Sequence, residues 1–189
     1  MGTNREPGKA KNFIYVGRLI PSKKPMLLLE AFAEAVEGLP TDCELIYAGD
    51  GPLKTILQIR SQELGLQTRV KFEGHVSEVG KLGELYSTAI ASVSPGYCGL
   101  SLIQSLGFGI PMIIARDEPH APEIEAAVEG VNSRMFVSDS RVSLAKTLLD
   151  FAKDRDVWIA RRAQIASWCA ERYSVEVMSA GLLDAVGGS

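Results

Sequence analysis

The sequence predicts an α/β domain: a doubly wound, mostly parallel sheet flanked by helices, with further helices at its C-terminal end. Three observations carry this reading. Short apolar runs alternate with longer amphipathic stretches. The runs stop at Gly, Pro or Arg and are joined by short connections, as in βαβ units. They are also apolar throughout rather than alternating, which suits strands covered on both faces.

The elements follow in order. Residues 13–16 (FIYV) form a β-rich run ending at Gly17. The stretch 26–36 places Leu28, Leu29, Phe32 and Val36 at helical spacing, the mark of a buried helical face. A second strand over 45–48 (LIYA) ends at Gly49, and a helix is expected over 53–64. A third strand over 70–72 leads to Gly74, with a helix over 78–88. A fourth strand over 91–93 ends near Pro95, a helix is expected over 100–108, and a fifth strand over 112–114 ends at Arg116. Beyond about residue 138 the strands stop. Ser138, Asp139 and Ser140 read as a helix start, and 142–152, 157–172 and 175–186 are amphipathic. Trp158 and Trp168 are expected to pack these helices onto the sheet.

Composition bounds the function. The chain has 189 residues, 46% hydrophobic and 23% charged, and 20 Lys and Arg stand against 23 Asp and Glu. A net charge of -3 argues against sequence-independent nucleic-acid binding, which needs surplus cations to displace counterions. It leaves room for a small anionic ligand. Three widely spaced cysteines, Cys43, Cys98 and Cys169, form no metal-binding or disulfide pattern and fit a reducing compartment, by default the cytoplasm. The polar N-terminus is no signal peptide, and no apolar run approaches the ~20 residues of a membrane span.

In open α/β sheets ligands bind beyond the carboxyl ends of the strands, so the loops there carry the chemistry. The first loop (GRLIPSKKP) sets Arg18, Lys23 and Lys24 ahead of a helix; they suit a diphosphate clamp or simply a solvated basic loop. The second (AGDGP) reads as a tight turn into a helix, with neither a GxGxxG nor a P-loop pattern. The third carries His75 beside Gly74, an isolated histidine near flexible backbone. The fourth (SPGYCGLS) opens a helix near Gly99 to Ser101, whose first N–H groups suit an anion, and Cys98 reads as a small buried hydrophobe. In the fifth, His120 and Glu123 suit an acid–base pair and equally capping and loop packing.

Together these loops resemble the C-terminal, donor nucleotide-sugar-binding domain of GT-B fold glycosyltransferases of family 4, the glycosyl transferases group 1. Five segments match in order over about residues 12 to 185: VGRLIPSKKPMLLLEAF, AGDGPLK, VKFEGHV, SVSPGYCGLSLIQSLGFGIPMII and APEIEAAVEGVNS. The resemblance implies a Rossmann-like fold and a nucleotide-sugar donor, UDP-, GDP- or ADP-linked, as substrate, with no resident cofactor and no metal. It implies that Arg18 and Lys23 bind the donor diphosphate and act in catalysis, with Gly17 and Lys24 alongside. It sets the base near His75 and Val76 and the phosphates at Gly99, Leu100 and Ser101. The family's two glutamates, separated by seven residues, align with Gly96 and Gln104. Gly96 offers only backbone groups there, and Gln104 an uncharged hydrogen-bonding partner for ribose. Ser133 stands where a glycine with positive φ is expected after Asn132.

The implied organisation is a disordered leader or cloning remnant over residues 1–11 and the donor-binding domain over 12–186. The family's acceptor-binding N-terminal domain lies outside this chain. The implied activity is a retaining hexosyltransferase of carbohydrate biosynthesis, inactive as the isolated domain. The full-length enzyme has room for peripheral membrane association and no call for nucleic acid. The alternative is a non-catalytic nucleotide-sugar-binding or scaffold domain that keeps the fold; a sugar epimerase or phosphorylase fits these motifs less well.

Overall fold

The computed structural model describes residues 10–173. Six parallel strands form one sheet: β1 (Asn12–Val16), β2 (Leu45–Ala48), β3 (Val70–Gly74), β4 (Ala89–Ser94), β5 (Met112–Ala115) and β6 (Ser133–Phe136). Their order is β3-β2-β1-β4-β5-β6. Strand succession therefore runs outward in one direction from β1 and, after β3, outward in the other from β4. The loops after β1 and β4 part at this switch point and open a crevice.

Among the described residues six α-helices cover the sheet: α1 (Pro25–Ala35), α2 (Lys54–Glu63), α3 (Val79–Thr88), α4 (Ser101–Gly107), α5 (Arg141–Lys153) and α6 (Arg155–Tyr173). Side chains of a strand alternate between faces, and both faces are buried. Phe13, Tyr15, Leu45 and Tyr47 pack with Leu28, Leu29 and Phe32 of α1, Leu57 of α2 and Leu148 of α5. On the opposite face Ile14 and Ile46 meet α3 at Leu82 and Tyr86, while Met112 and Ile114 meet Leu102 and Leu106 of α4 and Ile165 of α6. Full burial of a side chain such as Phe32 stabilises the fold by ~1.5–3 kcal/mol. Trp158 is buried and stacks on Phe151 at 4.6 Å, and Trp168 packs partly buried against the second core. Both tryptophans thus fasten α6 as expected.

The five expected strands and the helices between them are present. β6 was not foreseen. Its sequence, SRMF, opens with two polar residues and leaves only Met135 and Phe136 as an apolar run; among the described residues it pairs with β5 alone, at the sheet edge. This also corrects the reading of Ser133: the residue begins that strand, fully buried, and the left-handed residue of the preceding turn is Gly130, at φ 78°. Ser140 caps α5 by accepting from the Ser143 N–H at 3.2 Å, at the helix start read from the sequence. Ala10 and Lys11, expected in the leader, belong to the fold instead, since Ala10 is buried and the Lys11 N–H donates to Thr88 O; the rest of that segment lies outside the described residues. The helix expected over 175–186 lies outside the described residues. Among the described residues no helix is long and apolar enough to cross a membrane.

Cys43, Cys98 and Cys169 are free and buried. Burial pushes the Cys43 thiol up to about 12 and raises the other two as well. A thiol reagent at about pH 8 is expected to spare the native protein and to label all three cysteines after denaturation. Rapid labelling of the native form would contradict this packing.

Candidate functional site

At the carboxyl edge of β1, β2 and β3 a cleft of about 300 Å³ is lined by Val16, Gly17, Arg18, Ala48, Gly49, Asp50, His75, Val76 and Gln104. Five of the residues singled out from sequence, Gly17, Arg18, His75, Val76 and Gln104, therefore meet in one place. Parallel pairing brings this about: Val16 stands opposite Ala48 and Ala48 opposite Gly74, so the three chain exits lie side by side.

The loop carrying Arg18 and Lys23 is held from beneath. The Tyr15 hydroxyl donates to Arg18 O at 2.6 Å, and the Tyr47 hydroxyl donates to Pro25 O at 2.8 Å. Both rings are buried, and burial raises both phenol pKa values, so the hydroxyls remain donors. Leu19 is fully buried in the same core, and its N–H donates to Asp50 O. The loop is thereby set in shape before any ligand arrives.

Lys23 lies beyond the cleft, beside a small enclosed pocket that it lines with Tyr15, Tyr86, Ser92, Ser94 and Ser101. Its Nζ donates to Tyr97 O at 2.8 Å and sits 4.5 Å from the centre of the Tyr97 ring. Burial holds its pKa below the usual lysine value. Val16 borders both this pocket and the cleft.

Lys24 is engaged elsewhere. Its Nζ donates to Glu118 at 2.5 Å and to Asp139 at 2.7 Å, tying the loop after β1 to those after β5 and β6. Burial works against this charge, yet the hydrogen bonds and charges of Asp139 and Glu118 outweigh it and raise the lysine pKa. Lys24 and Asp139 are the two non-glycine residues with positive φ among the described residues, at 49° and 58°. The ion pair joins two backbone positions of higher energy.

The loop after β4 is stitched to its neighbours. The Tyr97 N–H donates to Ser22 O, and the Cys98 N–H donates to Nδ1 of His120 at 3.1 Å. Nε2 of the same ring lies 2.7 Å from Ala115 O, which fixes the neutral tautomer protonated at Nε2. One ring nitrogen thus joins two loops and the other binds the end of β5, which decides against an acid–base pair with Glu123. Gly99 packs near Ala121 and the Tyr97 ring, and Leu100 is strongly exposed on the rim. The helix that Gly99 and Leu100 lead into, α4, is seven residues long.

Two cleft features escaped the sequence reading. Asp50 lines the cleft and binds the Lys54 ammonium at 2.9 Å and the Gly51 N–H at 2.8 Å; these contacts, Lys54 foremost, lower its carboxyl pKa. The four-residue spacing of Asp50 and Lys54 was the available signal. Tyr86 donates to Gln104 Oε1 at 3.3 Å, a contact between α3 and α4 that no local pattern announces.

The family model described as glycosyl transferases group 1 matches residues 2–167. The chain belongs to that family. It is 27% identical over 168 residues to the Vi polysaccharide biosynthesis protein VipC/TviE of Salmonella typhi, covering 86% of this chain and 28% of that protein. It is similar in fold to Anabaena Alr3699/HepE, solved in complex with UDP (TM-score 0.80, 18% identity, 97% of this chain and 50% of that one). It also matches a structure of the C-terminal domain of a glycosyl transferase group 1 family protein, LpcC, from Francisella tularensis (TM-score 0.74, 16% identity, 87% of each chain). The chain thus spans about a quarter to a half of the longer relatives, and its architecture is one Rossmann-like domain of GT-B type.

Proposed function

We propose that this chain is the donor-binding half of a retaining hexosyltransferase that moves a sugar from a nucleotide-sugar to a glycan or other acceptor. The observation that carries the reading is the cleft at the carboxyl edge of β1, β2 and β3, which gathers Gly17, Arg18, His75, Val76 and Gln104 with Lys23 just beyond. Arg18 and Lys23 hold the donor diphosphate and stabilise its charge as it departs, the kind of preorganised electrostatic effect that dominates many enzymes. The base lies against His75 and Val76, the ribose against Gln104, and the phosphates approach Gly99, Leu100 and Ser101. Lys24 serves the same site through its hold on the loop. The acceptor and the rest of the cleft wall belong to a second domain, so the isolated domain binds donor without transferring sugar. The reading extends to a cytoplasmic enzyme of carbohydrate biosynthesis.

Calorimetry with UDP, GDP and ADP tests the assignment. At least one should bind, and Arg18→Ala or Lys23→Ala should weaken it about tenfold or more, the loss of one charge-assisted contact of ~1.5–3 kcal/mol. No binding by any of the three, or unchanged affinity in both variants, would remove the nucleotide from this cleft. A non-catalytic binding domain is the second reading, favoured by the absence of a carboxylate at Gly96 and Gln104. Donor hydrolysis by the full-length protein would exclude it.

A further inference from the structure

The hydroxyl of Tyr86 is what gives Gln104 its direction. Tyr86 is 1% exposed on α3, its ring stacked on Phe108 with centroids 4.8 Å apart. Burial raises its pKa, so the phenol keeps its proton. A buried O–H requires an acceptor, and here it donates to Gln104 Oε1 at 3.3 Å. Only the oxygen of an amide can accept. Turned over, the amide would set its NH₂ against the phenol oxygen and strip the phenol proton of this acceptor.

Gln104 is otherwise exposed and lines the cleft. Tyr86 engages one lone pair of that oxygen and holds it beside the phenol, while neither NH₂ hydrogen has a partner among the described residues, so the group wholly free for a ligand is the NH₂, which only donates. A glutamate at this position would offer a carboxylate, which only accepts. We infer that Tyr86 is a positioning residue that turns Gln104 into a hydrogen-bond donor, so that this cleft reads an acceptor oxygen on the nucleotide's ribose instead of a donated hydroxyl proton. The inference rests on the nucleotide reading above and adds to it the polarity of sugar recognition.

The consequence is a tolerance that a carboxylate lacks. Replacing a ribose hydroxyl by fluorine removes its proton but leaves a weak acceptor. An amide donor accommodates that change, whereas a carboxylate loses its contact and meets a repulsive fluorine.

The test is calorimetric titration of UDP and its 2′-fluoro and 3′-fluoro ribose analogues. The proteins are the wild type, Tyr86→Phe, Gln104→Glu, Gln104→Leu and the Tyr86→Phe/Gln104→Leu double variant. The wild type should bind all three ligands within about fivefold of one another, while Gln104→Glu should discriminate against one analogue by about tenfold or more. Tyr86→Phe, whose amide is free to turn, should weaken UDP binding severalfold when Gln104 is present and not at all in the Gln104→Leu background. A merely structural tyrosine would weaken both backgrounds equally. That result, or a wild type that rejects a fluoro analogue as strongly as Gln104→Glu does, overturns the inference while leaving nucleotide binding intact. If GDP or ADP binds in place of UDP, its fluoro analogues serve in the same titrations, and a wild type that binds none of the three overturns the inference together with the nucleotide reading.

Discussion

Gly49→Ala is expected to destabilise the protein by about 3 kcal/mol or more, the upper end of ordinary overpacking. A Cβ on residue 49 would fall well inside the carbonyl oxygen of Gly17. Most clashes are relieved by a side chain moving aside, but here the obstacle is backbone. Neither chain can retreat cheaply. The Gly17 N–H donates to Ala48 O at 3.1 Å, the Leu19 N–H to Asp50 O at 2.9 Å, and the Leu53 N–H to Leu19 O at 3.1 Å. These bonds fasten the ends of β1 and β2 together where the cleft begins. For a domain of this size the loss corresponds to a fall in Tm of roughly 6–12 °C. Any relaxation must also move Arg18, one residue from the clash, so nucleotide affinity should fall with stability. A thermal melt matching the wild type would mean that the two strand ends are not held as closely as this packing requires.

How much of this was legible beforehand follows from the range of the signals. Strands buried on both faces announce themselves as uninterrupted apolar runs, which is why β1, β2 and β5 were placed within a residue or two. β6 was illegible for the converse reason, since the buried Ser133 and the half-buried Arg134 leave it an apolar run of only two residues. The cleft was foreseeable because a parallel sheet delivers its loops to one edge whatever their sequence. The partners of its charges were not. Lys24 finds Glu118 and Asp139 across 94 and 115 residues of chain, and Tyr86 finds Gln104 only because α3 and α4 lie on the same face of the sheet. Lys24 therefore read as a third free cation, whereas its charge is spent holding three loops in register. The same blindness to distance governs Gly96, where the resemblance suggested a missing glutamate.

Gly96→Glu is expected to damage the site instead of completing it. A Cβ at residue 96 would stand 2.5 Å from Ser22 O and 2.9 Å from Lys23 C, backbone atoms of the short turn Pro21–Lys23. That turn and the loop after β4 are joined by the Tyr97 N–H donating to Ser22 O at 3.0 Å and by Lys23 Nζ donating to Tyr97 O at 2.8 Å. A side chain driven between them must part the two segments, at a cost of ~1–3 kcal/mol in stability. The same displacement takes Lys23 from its place over the Tyr97 ring. Nucleoside-diphosphate affinity should accordingly fall by about tenfold or more, the loss of a charge-assisted contact. Gln104→Glu makes the contrast decisive, because residue 104 faces open cleft and accepts a carboxylate without steric conflict; its affinity for UDP should be held or improved. Calorimetry and thermal melts on the two variants separate the cases. A Gly96→Glu protein that melts with the wild type and binds diphosphate at least as tightly would show that residue 96 is a carboxylate position left vacant. Loss of both stability and affinity would show that the turn around Ser22 and Lys23 has closed over it, so that in this chain the two positions aligned with the family's glutamates differ in kind: one is packed shut and the other is open to the ligand.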